Sequence, residues 1–113
     1  MEKLNHFFRN VLIKLSIHGW ELNLIPGSSE GYCWKNKKVI DLGLKNKNPK
    51  ELLLHEIAHI TTCRFCNQKH TPAYWKLFRD YMRRFLPGQE ISVSMKNHML
   101  HSSEGIYSLV YKN

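Results

Sequence analysis

The fold of this chain is decided by residues 48–62, whose sequence is NPKELLLHEIAHITT. Asn48 can accept hydrogen bonds from the backbone amides that a helix leaves free at its start, Pro49 suits the first helical position, and Glu51 completes an approximate capping box. The apolar residues that follow would bury most of such a helix. We therefore expect a helix from Pro49 to about Thr62.

Within this helix, residues 55–59 read HEIAH, which is an H-E-x-x-H pattern. His55 and His59 are four residues apart and share one face of a helix, so that both imidazoles can reach the same metal ion. Glu56 projects close enough to that ion to hold a water molecule beside it. Because imidazoles at this spacing are typical zinc ligands, the sequence predicts Zn²⁺ as a cofactor.

A catalytic zinc site needs a third protein ligand and one open position. His70 is the best candidate, since it follows His59 by eleven positions and directly precedes the next predicted helix. The extended H-E-x-x-H-x-x-G-x-x-H pattern does not apply, because the chain has Thr62 and Phe65 where that pattern requires Gly and His. Ligands from the C-terminal region remain as alternatives: His98, His101, Glu90 and Glu104.

The residues before the motif predict one helix and a small sheet. Apolar residues recur with helical spacing from Leu4 to Leu15, and Gly19 marks the expected end of this helix. Three short segments with strand character follow, with a lysine-rich hairpin tip between the last two: Trp20–Ile25, Tyr32–Trp34 and Val39–Leu42.

The residues after the motif predict a further helix and a less regular end. This helix begins at Thr71-Pro72 and stops before Pro87-Gly88. Residues 90–96 and 106–111 have strand character, and residues 97–105 have the composition of a loop. We therefore expect one α+β domain over residues 1–113, with an N-terminal helix, a small twisted sheet, the motif-bearing helix and a following helix.

The motif and its surroundings resemble the SprT-like zinc metalloproteases and their WLM-like relatives. The resemblance covers about residues 20–86 and depends on HEIAH, on the loop histidine in KHTPAYW and on the aromatic helix that follows. One difference is that Lys69 and Thr71 flank this histidine where the family often has Gly. The resemblance implies a minimal zincin-like fold in which His55, His59 and His70 bind zinc.

By the same resemblance, Glu56 is the catalytic glutamate and the reaction is hydrolysis of peptide bonds in a protein or peptide substrate. Zinc lowers the pKa of a bound water towards about 7, and Glu56 would take the proton of that water and deliver it to the leaving amine. An extended substrate could pair with the edge of the small sheet. A donor to the developing oxyanion is also needed, and the candidates come from the C-terminal region: Tyr107, Tyr111, His98 and His101.

The charge of the chain favours an anionic partner. Seventeen Lys and Arg against nine Asp and Glu give a formal net charge of +8 on 113 residues. Two groups could hold a phosphate backbone, which agrees with the DNA-linked substrates of SprT-like proteases: Lys35, Lys37 and Lys38 near the hairpin, and Lys76, Arg79 and Arg83 on the later helix. The alternatives are a solvated basic face that keeps the chain soluble, and a non-catalytic zinc-stabilised module that binds nucleic acid.

Aromatic residues of the later helix are expected in the core. Trp75, Phe78 and Phe85 have helical spacing, which favours burial over stacking on bases.

Three cysteines are too few for a disulfide framework and indicate a reducing compartment. Cys33 is expected in the core. Cys63 and Cys66 could form a second zinc site with His98 and His101, but two thiols at a helix end are the simpler interpretation. Since the sequence shows neither a signal peptide nor a long apolar segment, we expect a cytoplasmic protein that does not bind membranes, and the sequence gives no oligomeric state.

Overall fold

The structure is a computed structural model that describes residues 2–62 and 70–102. In these residues it has four helices and three strands: α1 (Glu2–Lys14), β1 (Glu21–Ile25), β2 (Gly31–Trp34), β3 (Val39–Gly43), α2 (Pro49–Thr62), α3 (Pro72–Phe85) and α4 (Val93–Ser102). This is an α+β fold, as the sequence predicts. The chain divides into two compact units, Met1–Ile57 and Ala58–Asn113, and the division falls within α2.

In the first unit, α1 buries the face that its periodicity predicts, including Phe8 and Val11. The expected end at Gly19 is wrong, because α1 ends at Lys14. Ser16 adopts the left-handed conformation with φ 56°, and the Ile17 N–H donates to the Leu12 carbonyl at 2.9 Å. This is the Schellman arrangement, so a serine takes the position that glycine usually occupies at a helix C-terminus.

The three predicted strands form one mixed sheet with the order β1-β3-β2. β1 is parallel to β3, and β2 is antiparallel to β3, with Cys33 opposite Ile40. Both of these side chains are buried, which confirms Cys33 as a core residue. At the end of β3, a Cβ on Gly43 would overlap the backbone carbonyl of Ser28, so this position requires glycine.

The predicted start of α2 at Pro49 is confirmed, and the helix continues to Thr62, the last residue described in this part of the chain. The loop before it is held by Asn46, whose Oδ1 accepts from the Asn48 N–H at 2.8 Å and whose Nδ2 donates to the Ser29 carbonyl at 3.0 Å. The Asn48 carbonyl then accepts from the Leu52 N–H at 3.0 Å, as the residue before a helix should. Every residue from 51 to 59 is buried.

In the second unit, α3 begins and ends close to its predicted limits. Thr71 is the N-cap, and its hydroxyl accepts from the Tyr74 N–H at 3.1 Å. Trp75 and Phe78 are fully buried, which confirms them as core residues, and Phe85 is half-buried.

The expected strand over residues 90–96 and loop over residues 97–105 are wrong in the part that the structure describes, because α4 occupies Val93–Ser102. Ser92 starts this helix, and its hydroxyl accepts from the Met95 N–H at 3.2 Å. Met95 and Met99, four residues apart, are both buried and give α4 an apolar face. The expected strand over residues 106–111 lies outside the described residues, as do Cys63, Cys66, Glu104, Tyr107 and Tyr111.

Within the described parts of the chain, no helix is long and apolar enough to cross a membrane.

Candidate metal centre

The H-E-x-x-H residues lie on a continuous and buried part of α2. The exposed fractions of His55, Glu56 and His59 are 6%, 3% and 1%. Because one regular helix carries both histidines, the spacing of four residues places them one above the other on the same face. Three buried polar side chains in such a short apolar segment are unusual, since burying polar groups is costly unless they interact with a partner or a ligand.

The Glu56 side chain lies against the first residue of β2. A Cβ on Gly31 would be 3.1 Å from both Cγ and Oε2 of Glu56 and 3.2 Å from Cγ of Leu52, so glycine lets the strand approach α2 closely. Glu56 Oε1 is buried, and none of the described residues forms a hydrogen bond with it. Burial raises the pKa of Glu56 to about 8. The sheet and helix thus hold a carboxyl group in an apolar setting that favours its neutral form.

Two further groups of the first unit are electrostatically linked to this region. Burial, with a smaller contribution from the Glu56 carboxylate, raises the pKa of Cys33 to about 12, while the Lys35 ammonium opposes the shift. The Lys35 Nζ is itself buried, without a hydrogen-bond partner among the described residues, and burial lowers its pKa. Of the three hairpin lysines predicted to bind phosphates, Lys37 and Lys38 are exposed, whereas the ammonium group of Lys35 is directed inwards.

In the second unit, aromatic rings surround His59 and His70. His59 stacks on Tyr74 with the ring centroids 4.4 Å apart and an angle of 23° between the planes. His70 stacks on Trp75 at 5.0 Å and 21°, and its centroid is 4.8 Å from that of His59. The loop histidine predicted from sequence therefore lies beside the second histidine of the motif.

A further histidine, His98 of α4, contacts the same group. Its ring meets His70 edge to face with the centroids 4.7 Å apart, and it is 5.7 Å from Trp75. Burial, with a smaller contribution from the neighbouring His98, lowers the pKa of His70 to about 4. Burial also lowers the pKa of His98. Both imidazoles are therefore neutral at pH 7, which is the form that binds metal ions.

Three of these histidines could hold a metal ion. They are His55 of the first unit and His70 and His98 of the second, and in the second unit one ring nitrogen of His70 lies within 4.8 Å of one of His98. This group, found among the described residues, does not include His59, although both ring nitrogens of His59 are buried. Neutral imidazoles are donors that suit zinc.

The structure thus brings His70 and His98 together and puts His55, Glu56 and His59 on one helix. His101 lies on α4 and is exposed. From the sequence, His98 is an alternative third ligand, an oxyanion donor or a ligand of a second zinc site, and a loop is expected at this position. The recurrence of Met95 and Met99 with helical spacing is the signal that could have identified α4 and the direction of His98.

The basic residues predicted on α3 are partly accessible. Lys76 and Arg83 are exposed and Arg79 is half-buried. Arg83 forms an exposed ion pair with Asp80 at 3.4 Å.

Comparisons with models of known protein families, with curated proteins and with solved structures find no match to this chain.

Proposed function

We propose that this protein is a zinc-dependent peptidase of the SprT-like kind with a minimal zincin-like fold, in which His55, His59 and His70 bind zinc and Glu56 is the general base. The observation that carries the proposal is Glu56, a glutamate that is 3% exposed and whose Oε1 has no hydrogen-bond partner among the described residues. It directly follows one candidate ligand and precedes the other by less than one helical turn.

The cost of burying Glu56 supports a functional role. Placing a carboxylate in an apolar interior without a partner costs several kcal/mol, or else forces the group to become neutral. An apolar residue at this position would avoid that cost, as Leu53 and Ile57 do on the same helix. A water molecule and a metal ion beside Glu56 would compensate it, since a nearby cation favours the charged carboxylate.

The chemistry follows from the donors. When bound, zinc would polarise the scissile carbonyl and make water a stronger acid. Glu56 would accept the proton of the attacking water and donate it to the leaving amine. The apolar surroundings formed by Gly31 and Leu52 keep other water away from the carboxylate and so preserve its basicity.

The sheet supports a protein or peptide substrate. β2 is an edge strand of the described sheet and begins at Gly31, the residue in contact with Glu56. An extended peptide that paired with this edge would lie beside the carboxylate. The exposed side chains of Tyr32 and Trp34 on β2 would contact such a peptide.

Replacement of one carboxylate tests this function, and the chain offers a matched control. In Glu56→Gln we expect hydrolysis of an unfolded protein such as casein to fall about 10²- to 10⁴-fold with zinc content unchanged, because only the proton transfer is lost. Glu51 is also on α2 and is 2% exposed, so Glu51→Gln makes the same chemical change five residues away and should keep the activity of each folded molecule. Hydrolysis that survives both Glu56→Gln and chelation would refute the proposal.

The second candidate is a non-catalytic zinc-stabilised module that binds nucleic acid. The group formed by His55, His70 and His98 favours it, because it does not require the catalytic pattern, and exposed basic residues such as Lys37 and Lys76 favour an anionic partner, including DNA. In this case Glu56→Gln would leave DNA binding unchanged, and the affinity for a labelled oligonucleotide would fall steeply with salt. No affinity at low salt would eliminate this candidate. A cytoplasmic location is part of both proposals.

A further inference from the structure

We propose that His98 is a fourth protein ligand of the metal, brought by α4, so that the metal centre is closed in the resting protein and a substrate must displace His98. This inference rests on the proposed function, because it concerns the same metal ion. It changes the expected state of the site, since zinc with four protein ligands is typical of structural sites and catalytic zinc keeps one position open.

The geometry around His70 is the first support. The His98 ring contacts the His70 ring at a centroid distance of 4.7 Å, and its ligand nitrogen is within 4.8 Å of that of His70. Two nitrogens bound to one tetrahedral zinc ion lie about 3.3 Å apart, as Zn–N bonds of about 2.0–2.1 Å require. To reduce the distance between the two nitrogens from at most 4.8 Å to about 3.3 Å, the exposed His98 ring would have to move by about 1.5 Å or less.

The setting of His98 is the second support. The side chain is placed by contacts with the rings of His70 and Trp75, and Trp75 is itself stacked on His70 and fully buried. An exposed histidine without a role would be free to turn towards water. The His98 ring instead contacts the His70 ring, and a metal ion bound by both histidines would stabilise this contact.

The construction of α4 explains how such a ligand could be displaced. Of the described side chains of α4, only Met95 and Met99 are buried, whereas α2 buries a continuous run of nine residues. Segments that bury few apolar groups open locally at a lower free energy than the core does. Movement of α4 would therefore remove His98 from the metal and leave the ligands of α2 in place.

Cobalt substitution tests this assignment without depending on activity. Co²⁺ replaces zinc in such sites, and its visible absorption differs between four protein ligands and three ligands with water. We expect His98→Ala to change this spectrum, to lower the Co²⁺ affinity about 10- to 100-fold and to increase peptide hydrolysis. His101→Ala is the matched control, since His101 is exposed, lies three residues further along α4 and should leave both the spectrum and the affinity unchanged.

The outcomes separate this inference from the proposed function. A His98→Ala protein with the wild-type spectrum and affinity overturns the inference alone. Hydrolysis that does not depend on Glu56, together with a spectral change in His98→Ala, overturns the peptidase function and keeps His98 as a ligand. A wild-type chain that binds no Co²⁺ overturns both. A second variant, His98→Gln, separates loss of a ligand from loss of folding. Thermal unfolding of the metal-free proteins shows whether this variant is folded. A folded His98→Gln protein with the Co²⁺ spectrum of His98→Ala supports the inference.

Discussion

Helices α2 and α4 both carry histidines of the candidate metal centre, but they are held in very different ways. In α2 every residue from 51 to 59 is buried, and β2 approaches so closely at Gly31 that a side chain there would touch Glu56. In α4 the described side chains bury two methionines, and a serine cap starts the helix. The comparison indicates that α2 is held firmly by its buried side chains and that α4 is held by fewer of them, which is the basis for proposing α2 as the fixed part of the metal centre and α4 as the part that can move.

Truncating the core of α2 should have the largest effect. Leu53 is fully buried, and Leu53→Ala is expected to lower the free energy of unfolding by about 2–5 kcal/mol through lost burial and the cavity left behind. The same substitution on α4, Leu100→Ala, removes a side chain that is 43% exposed and should cost less than about 1 kcal/mol. Equal losses in urea-induced unfolding would contradict the difference between the two helices.

The buried thiol beside α2 predicts a dependence of stability on alkaline pH. The pKa of Cys33 is raised from 9.0 to about 12, so the neutral thiol stabilises the fold fully below pH 9, and this contribution is lost as the pH rises towards 12. Over this interval the wild type should lose about 1.4 kcal/mol per pH unit more than Cys33→Ala. Parallel stability curves for the two proteins would show that Cys33 ionises as easily in the folded state as in the unfolded state.

A methyl group at the contact between β2 and α2 should disturb the site directly. We expect Gly31→Ala to cost about 1–3 kcal/mol, because the new Cβ lies 3.1 Å from Glu56 and must push it or Leu52 aside. Casein hydrolysis should fall as well, since Glu56 moves. Gly27→Ala provides the control, as nothing lies within 4 Å of its Cβ, and should be neutral or stabilising by up to about 1 kcal/mol. If Gly31→Ala behaves like Gly27→Ala, the close approach of strand and helix is wrong.

Loss of the cap of α4 should have the smallest effect and a local one. Ser92→Ala removes the hydroxyl that accepts from the Met95 N–H, which costs about 1 kcal/mol. Amide hydrogen exchange should become faster in α4 and stay unchanged in α2. Ser92→Thr keeps the hydroxyl and should restore the slower exchange. Faster exchange in both helices would mean that α4 is not an independent part of the structure.

The sequence predicts α2 and its surroundings well, because several physical signals agree there. An apolar run of helical length follows Pro49, and α2 starts at the expected residue. Alternation in the first strand and strand propensity in the other two also give their places to within a residue, while their order requires contacts that no local pattern contains.

The parts that the sequence did not predict are those where local signals conflict. Ile91, Val93 and Met95 alternate with polar residues and suggest a strand, but burial of Met95 and Met99 selects a helix. A serine replaces the expected glycine at the end of α1. The sequence favours His70 as the third candidate ligand and keeps His98 as an alternative, because a decision between them depends on where α3 and α4 lie.

Zinc analysis of the purified chain tests the central claim, that α2 provides a metal-binding platform, most directly. We predict one zinc ion per wild-type chain and a large loss of zinc in both His55→Ala and His59→Ala, with smaller losses in His98→Ala. The exposed His101 serves again as the control, and His101→Ala should keep its zinc. A folded wild-type chain that takes up no zinc, or a His55→Ala chain that binds it as tightly as the wild type, would contradict the account.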